Sequence, residues 1–126
     1  TAAQLGLQST GSAMRGPSGP PSPGVGNVTL TPGQQSREDL IRDMGTGLLL
    51  TSLIGASIND TTGDYSRGAS GFWVENGEIC YPVNECTIAG NLREMLLNIV
   101  PANDGRAHLS RVVPSLLIPS MAIAGD

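Results

Sequence analysis

An Asn-Gly pair at positions 76 and 77 stands between two runs of strand-forming residues, Gly-Phe-Trp-Val-Glu at 71–75 and Glu-Ile-Cys-Tyr-Pro-Val at 78–83. Asn-Gly is the favoured dipeptide of the two-residue type I′ turn, because both central residues of that turn take positive φ. The stretch therefore predicts a tight antiparallel hairpin. Side chains alternate across a strand, so Phe72 and Val74 are expected on one face, and Ile79, Tyr81 and Val83 on one face of the return strand. Pro82 has no amide hydrogen and confines its stretch to a sheet edge or a strand end.

Elsewhere the chain divides into short elements. Gly and Pro make up 26 of the 126 residues. Both disfavour helix interiors, so strand, turn and loop should dominate. Thr1–Leu7 reads as the end of a helix stopped by Gly6 or Gly11. Gly16–Gly26, with eight Gly or Pro among eleven residues, reads as a flexible loop without regular structure. Val28 and Leu30 alternate with polar neighbours as in a short strand, closed by Pro32-Gly33. Ser36 and Asp39 have capping-box spacing for a short helix, with Leu40, Ile41 and Met44 as its apolar stripe and Gly45 as its stop. The apolar run Thr46–Ile54 predicts a strand covered on both faces, with a helix as the alternative. Asn91 and Glu94 repeat the capping-box spacing ahead of Leu92, Met95, Leu96 and Ile99, a stripe expected to be buried, and Pro101 ends that helix. Asn103–Arg111 is polar and reads as a loop; Ser115–Ile118 and Met121–Ala124 read as strands. The expected fold is α+β and rich in β, with antiparallel sheets in a sandwich- or barrel-like arrangement and two short helices. Residues 1–35 form an N-terminal segment in this reading, and residues 36–126 a C-terminal domain.

Composition excludes several functions. Leu, Ile, Val and Phe account for 30 residues, above the roughly 20% below which a chain tends to disorder. The net charge is −4, and all seven basic residues are Arg. Without a basic stripe, direct nucleic-acid binding is not expected. No apolar run approaches the roughly 20 residues of a membrane span. The start, Thr-Ala-Ala-Gln-Leu, lacks Met and a signal-peptide pattern, so the chain reads as a segment of a longer protein. Cys80 and Cys86, with five residues between them, match neither a redox nor a zinc-knuckle pair and are expected to be reduced, partly buried thiols of a cytoplasmic protein, with a disulfide as the alternative. One His, His108, cannot build a multi-His metal site; a site would need the cysteines and Glu85 to converge on it.

All four aromatic residues, Tyr65, Phe72, Trp73 and Tyr81, surround Gly63-Asp64-Tyr65-Ser66-Arg67-Gly68. This stretch reads as a compact polar turn. Asp64 and Arg67 either satisfy each other and the backbone or face a ligand. In the second case Arg67 offers a planar donor for a peptide carboxylate, and Tyr65 a flat contact. Phe72, Trp73 and Val74 are expected in the core. Ser66, Asp64 and His108 are the ingredients of a catalytic triad, but no spacing forces them together. Ser70 does not sit in a nucleophile elbow. Gly45-Thr46-Gly47 lacks the Lys of a phosphate loop. Glu75 and Glu78, and Arg93 and Glu94, read as solvated faces.

The run from Gly45 to Leu92, with TGDYSRGASGFWVENGEI, YPV and TIAGN at its centre, resembles the C-terminal domain of the PmbA/TldE proteins of the TldD/PmbA group, once named modulators of DNA gyrase. The closing PSLLIPSMAIAGD, and AAQLGLQSTGSA and NVTLTPG near the start, extend the resemblance over essentially the whole chain. The resemblance implies a role beside a metalloprotease. TldD-like members carry an HExxxH zinc motif upstream and a Cys ligand near the C-terminus, whereas TldE-like members pair with TldD and lack zinc. The pair cleaves peptides in a closed cavity, with links to peptide-antibiotic maturation, antitoxin degradation and, genetically, gyrase inhibitors. This sequence has no HExxxH, and after Asn103-Asp104 it has His108 but no Cys. No zinc ligand is carried over. The expectation is a non-catalytic subunit segment that lines a peptide cavity, without a cofactor of its own, with zinc in a TldD-like partner subunit or with a homodimeric mate. Asp64, Tyr65 and Arg67 are its candidate peptide contacts. The alternative is a gyrase-binding modulator without proteolysis.

Overall fold

The computed structural model describes residues 2–125, apart from the side chain of residue 56; Thr1 of the predicted helical end and Asp126 of the closing segment lie outside them. The chain forms two compact units, Thr1–Leu30 with Arg106–Val113, and Thr31–Gly105 with Pro114–Asp126. Among the described residues no helix is long and apolar enough to cross a membrane.

In the first unit the predicted helical end is a single 3-10 turn, Ala3–Leu5, stopped by Gly6 at φ 64. Strands β1 (Ala13–Met14) and β2 (Ser22–Pro23) pair antiparallel, so the Gly/Pro stretch does contain a short ladder, anchored by Gly24 N–H on the Ser12 carbonyl. The strand expected around Val28 forms as β3 (Val28–Thr29). Its partner is β8 (Arg111–Val112), and the pairing is parallel. This short pair departs from the antiparallel pattern of the other sheets, since a long intervening chain permits the parallel pairing that a tight turn forbids.

The second unit carries α1 (Arg37–Met44), β4 (Gly47–Ile58), β5 (Asp64–Glu75), β6 (Glu78–Asn91), α2 (Leu92–Asn98), β7 (Val100–Pro101), β9 (Leu116–Leu117) and β10 (Ala122–Ala124). Four of the strands make one antiparallel sheet in the order β10-β6-β5-β4, and β7 pairs with β9. The fold is α+β and rich in β. The sheet is open, with β4 and β10 at its edges, so it is not a closed barrel.

Local signals act as expected at α1. The Ser36 hydroxyl accepts from Asp39 N–H, and Asp39 accepts from Ser36 N–H, each at 3.1 Å. This reciprocal pair satisfies two donors that a helix start leaves open. Asp39 also pairs with Arg42 one turn on. Leu40 is buried, and Gly45 closes the helix at φ 68.

The hairpin turn has φ 52 at Asn76 and 76 at Gly77, as a type I′ turn requires. Pro82 lies opposite Phe72, and β10 covers only Thr87–Ala89 of β6. Pro82 thus sits on a locally free edge. A bulge at Cys80 breaks the alternation between Ile79 and Tyr81, since Val74 faces Ile79 while Trp73 faces Tyr81. Of the three residues expected in the core, Val74 is fully buried and Phe72 is 37% exposed. Trp73 is half-buried, with Nε1 donating to Glu75.

Two burial expectations fail. β4 runs on to Ile58, and its second half is not covered on both faces: Leu53 and Ile54 are exposed, as is Ile58 beyond the predicted run. On α2, Leu92, Met95 and Ile99 are half-buried but Leu96 is 70% exposed. This helix is two turns long and packs against β6. Asn91 caps it by accepting from Arg93 N–H, without a capping box. The core of the sheet is Ala69, Cys86 and Ile88, with Leu48, Leu50, Tyr65, Val83 and Met121 against it.

Three carboxylates of the second unit, Glu38, Asp39 and Asp104, are held below their ordinary values. The Ser36 hydroxyl and N–H hold Asp39 below its ordinary value. The Ser115 hydroxyl and N–H do the same for Asp104, which accepts both at 2.7 Å. A carboxyl lowered in the folded state stabilises the fold above its unfolded pKa, and that contribution is lost as pH falls through the folded pKa. Melting temperature is therefore expected to fall from about pH 5 downward. Asp104→Asn should lose less between neutral and acid pH than the wild type in thermal melts. An equal loss would assign the acid limb to other groups.

Candidate functional site

The stretch read as a polar turn is a strand. Gly63, at φ 80, ends the actual turn, and β5 begins at Asp64. Asn59 builds that turn by accepting from Thr61 N–H at 3.0 Å and Thr62 N–H at 3.2 Å, while Gly63 N–H returns to its carbonyl. Asp64 accepts from the Thr62 hydroxyl at 2.6 Å and from Asn91 Nδ2 at 3.4 Å. Asn91 Nδ2 also donates to the Thr62 carbonyl at 2.9 Å. Asp64 is thus part of a polar clasp that joins the β4–β5 turn to the start of α2.

Arg67 does not meet Asp64. It lies opposite a bulge in β4, between the pairs Gly68–Ile54 and Ser66–Ser57. Gly55 takes φ 68 there, and Arg67 Nε donates to its carbonyl at 2.6 Å. A bulge turns one carbonyl out of the ladder, and the guanidinium satisfies it. The Nη groups make no hydrogen bond or ion pair among the described residues. Tyr65, two residues earlier, packs against the core beside Ile58 of β4. Tyr65 and Arg67 therefore stand next to the far half of β4, whose other side has no strand partner among the described residues. Leu53 is 40%, Ile54 68% and Ile58 45% exposed along it.

Sequence reasoning missed Gly55, Thr62 and Asn91 as partners of the candidate residues. An isolated Gly inside an apolar strand run is a bulge signal, and it was present at Gly55. Thr62 is two residues from Asp64 and reaches it within the turn, whereas Asn91 meets it only through the pairing of β5 with β6.

A second feature lies at the other end of β4. An apolar hollow of about 610 Å³ is lined by α1, the start of β4 and residues 115–121, including Leu40, Met44, Leu48, Ile118 and Met121. Its size is that of a ligand or side-chain cleft.

The metal-ligating residue types do not gather. Cys86 is buried in the core with Sγ on the Ala69 carbonyl. Cys80 is exposed rather than partly buried. Glu85 is exposed at a β6 bulge with φ 55, and His108 is exposed in the first unit. Among the described residues no group of three His, Cys, Asp or Glu could hold a metal ion, so this donor set does not fit zinc. Ser66 lies within β5, and Glu75, Glu78, Arg93 and Glu94 are exposed, as expected of solvated faces.

The model of the PmbA/TldA metallopeptidase C-terminal domain matches residues 1–125. The metalloprotease PmbA of Escherichia coli O157:H7 is 48% identical over the whole of this chain, and a PmbA homologue of Haemophilus influenzae 46% identical over 98% of it. The chain spans about a quarter of the length of each, 26%. A solved structure from Thermotoga maritima, whose name refers to modulation of a DNA gyrase, superimposes with a TM-score of 0.78 at 36% identity, covering 98% of this chain and 28% of that one. With the family model matching from end to end, the chain belongs to the PmbA/TldD metallopeptidase family and is its C-terminal domain.

Proposed function

We propose that this chain is the TldE-like, non-catalytic part of a two-component zinc metallopeptidase, where it lines the peptide cavity and supports pairing with a TldD-like subunit or a second copy. The observation that carries the reading is the unpaired edge of β4, with Leu53, Ile54 and Ile58 exposed beside Tyr65 and Arg67. An extended peptide adds to such an edge through main-chain hydrogen bonds, and alternate side chains supply specificity. The Nη groups of Arg67 suit a peptide carboxylate or carbonyl. Zinc belongs to the partner subunit in this reading, since among the described residues no three donors gather to hold it. The substrate is a peptide, and the setting is the cytoplasm.

The test is peptide cleavage by the intact protein purified with a TldD-like partner. Arg67→Ala is expected to lower kcat/KM roughly tenfold, the value of one charge-assisted hydrogen bond of about 1.5 kcal/mol, without unfolding either chain. Unchanged kinetics would leave Arg67 with the β4 bulge alone. Failure of the two proteins to co-elute, with cleavage unaffected by adding this one, would sink the whole reading. A gyrase-directed role has the name of the Thermotoga structure in its favour. Direct binding to gyrase with no protease present would support it. The Lys-free chain with net charge −4 speaks against contact with the DNA itself.

A further inference from the structure

We infer that Asn76 is a latent self-modification site, a spontaneous deamidation site held shut by the docking of its turn on the C-terminal end of α1. Of the seven asparagines, Asn76 alone precedes a glycine. A following glycine has no side chain to hinder attack by its own amide nitrogen on the asparagine Cγ. In that reaction the Gly77 N–Asn76 Cγ bond forms and the Cγ–Nδ2 bond breaks. The Gly77 amide proton leaves with Nδ2 as ammonia. Water then opens the succinimide ring at one carbonyl or the other, and the position becomes aspartate or isoaspartate. The step consumes one water and involves no oxidant or reductant.

Asn76 is exposed to that water. The attacking nitrogen is engaged elsewhere, because Gly77 N–H donates to the Gly45 carbonyl at 2.8 Å. A Cβ built on Gly77 would lie 2.9 Å from Arg42 Cα, so the turn presses on the last turn of α1 backbone to backbone. With φ positive at both residues, the peptide between them cannot swing toward Cγ without lifting off the helix. Reaction therefore passes through an undocked turn, and its rate reports how often the α1–hairpin contact opens. The product does not reverse the change. It adds a carboxylate beside Glu75 and Glu78, and the isoaspartate form lengthens the backbone of a turn that is pressed against Arg42 of α1. One opened contact is recorded as a permanent chemical mark at the hairpin tip.

The experiment follows conversion at Asn76 by peptide mapping and mass spectrometry while the intact protein stands in mildly alkaline buffer. The folded protein is expected to convert far more slowly than the same protein in urea. Ser36→Ala removes the cap of α1 without touching the turn, and should speed conversion in the folded state roughly fivefold. Asp39→Ala removes the other half of the box and should act in the same direction. Asn91→Ala cuts the clasp at the opposite end of β6 and should leave the rate unchanged. Equal rates for folded and unfolded protein, or no acceleration in either α1 variant, would overturn the inference. So would an Asn91→Ala acceleration as large as that of Ser36→Ala, which would assign the rate to global unfolding.

Discussion

Gly71→Ala is expected to destabilise the protein by on the order of 3 kcal/mol or more, read as a drop in the urea midpoint. A Cβ at that position would lie 1.9 Å from the Leu49 carbonyl oxygen and 2.9 Å from its carbon. Both are backbone atoms of the neighbouring strand and cannot rotate away. Gly71 lies where register shifts break both of its ladders, between Leu50 and Ser52 on β4 and between Ala69 and Gly71 on β5. The strands there are turned so that the Cβ direction of β5 points into β4 rather than out of the sheet. Any side chain must push β4 and β5 apart at the centre of the sheet. A loss below about 1 kcal/mol would mean that the strands separate easily, contrary to the close approach.

Gly33→Ala should cost a similar amount, again about 3 kcal/mol. Its Cβ would meet the Pro101 carbonyl oxygen at 1.9 Å. Gly33 N–H donates to the Ala102 carbonyl at 3.0 Å, and Asn103 N–H reaches the Gln35 carbonyl at 2.9 Å. Asn103 Nδ2 adds a bond to the Gln34 carbonyl. Residues 33–35 are thus laced to residues 101–103, with fully buried Ala102 between the attachments. The substitution would force this lacing open. Gly26→Ala is the control, since a Cβ there meets nothing within 4 Å, and it should change stability by less than about 0.5 kcal/mol. Equal effects from the two variants would show that glycine is needed for loop freedom and not for close approach.

These two glycines show what a single chain hides. Pro32-Gly33 reads as an ordinary turn, and Gly71 as the first residue of a hairpin strand. Neither reading reveals a backbone carbonyl waiting 1.9 Å from a missing Cβ. The candidate site was legible to a similar degree. Asp64, Tyr65 and Arg67 were singled out by composition, and the polar contacts of Asp64 and Arg67 are to backbone or to neighbouring side chains. Their setting differs from the expectation, because the turn they were assigned to is a strand and the turn itself lies at Asn59–Gly63. The Asn-Asp-Thr-Thr-Gly connection is longer than a two-residue turn and lacks its signature, so the β4–β5 hairpin left little trace in the sequence.

The type I′ turn at Asn76-Gly77 and the capping box at Ser36 and Asp39 were determined by the sequence alone, because each depends on residues at most three apart and on the φ their own chemistry permits. The sequence also determined that Leu96 and Ile54 belong to apolar faces. Only the tertiary structure decided that nothing in the described chain covers them, since periodicity names a face and not its neighbour. The tertiary structure likewise decided that Arg67 holds the Gly55 carbonyl, that Pro82 lies where β10 no longer pairs, and that β4 is an edge. Each of these depends on which strands lie side by side, and that pairing joins residues too far apart in sequence for any local pattern to encode.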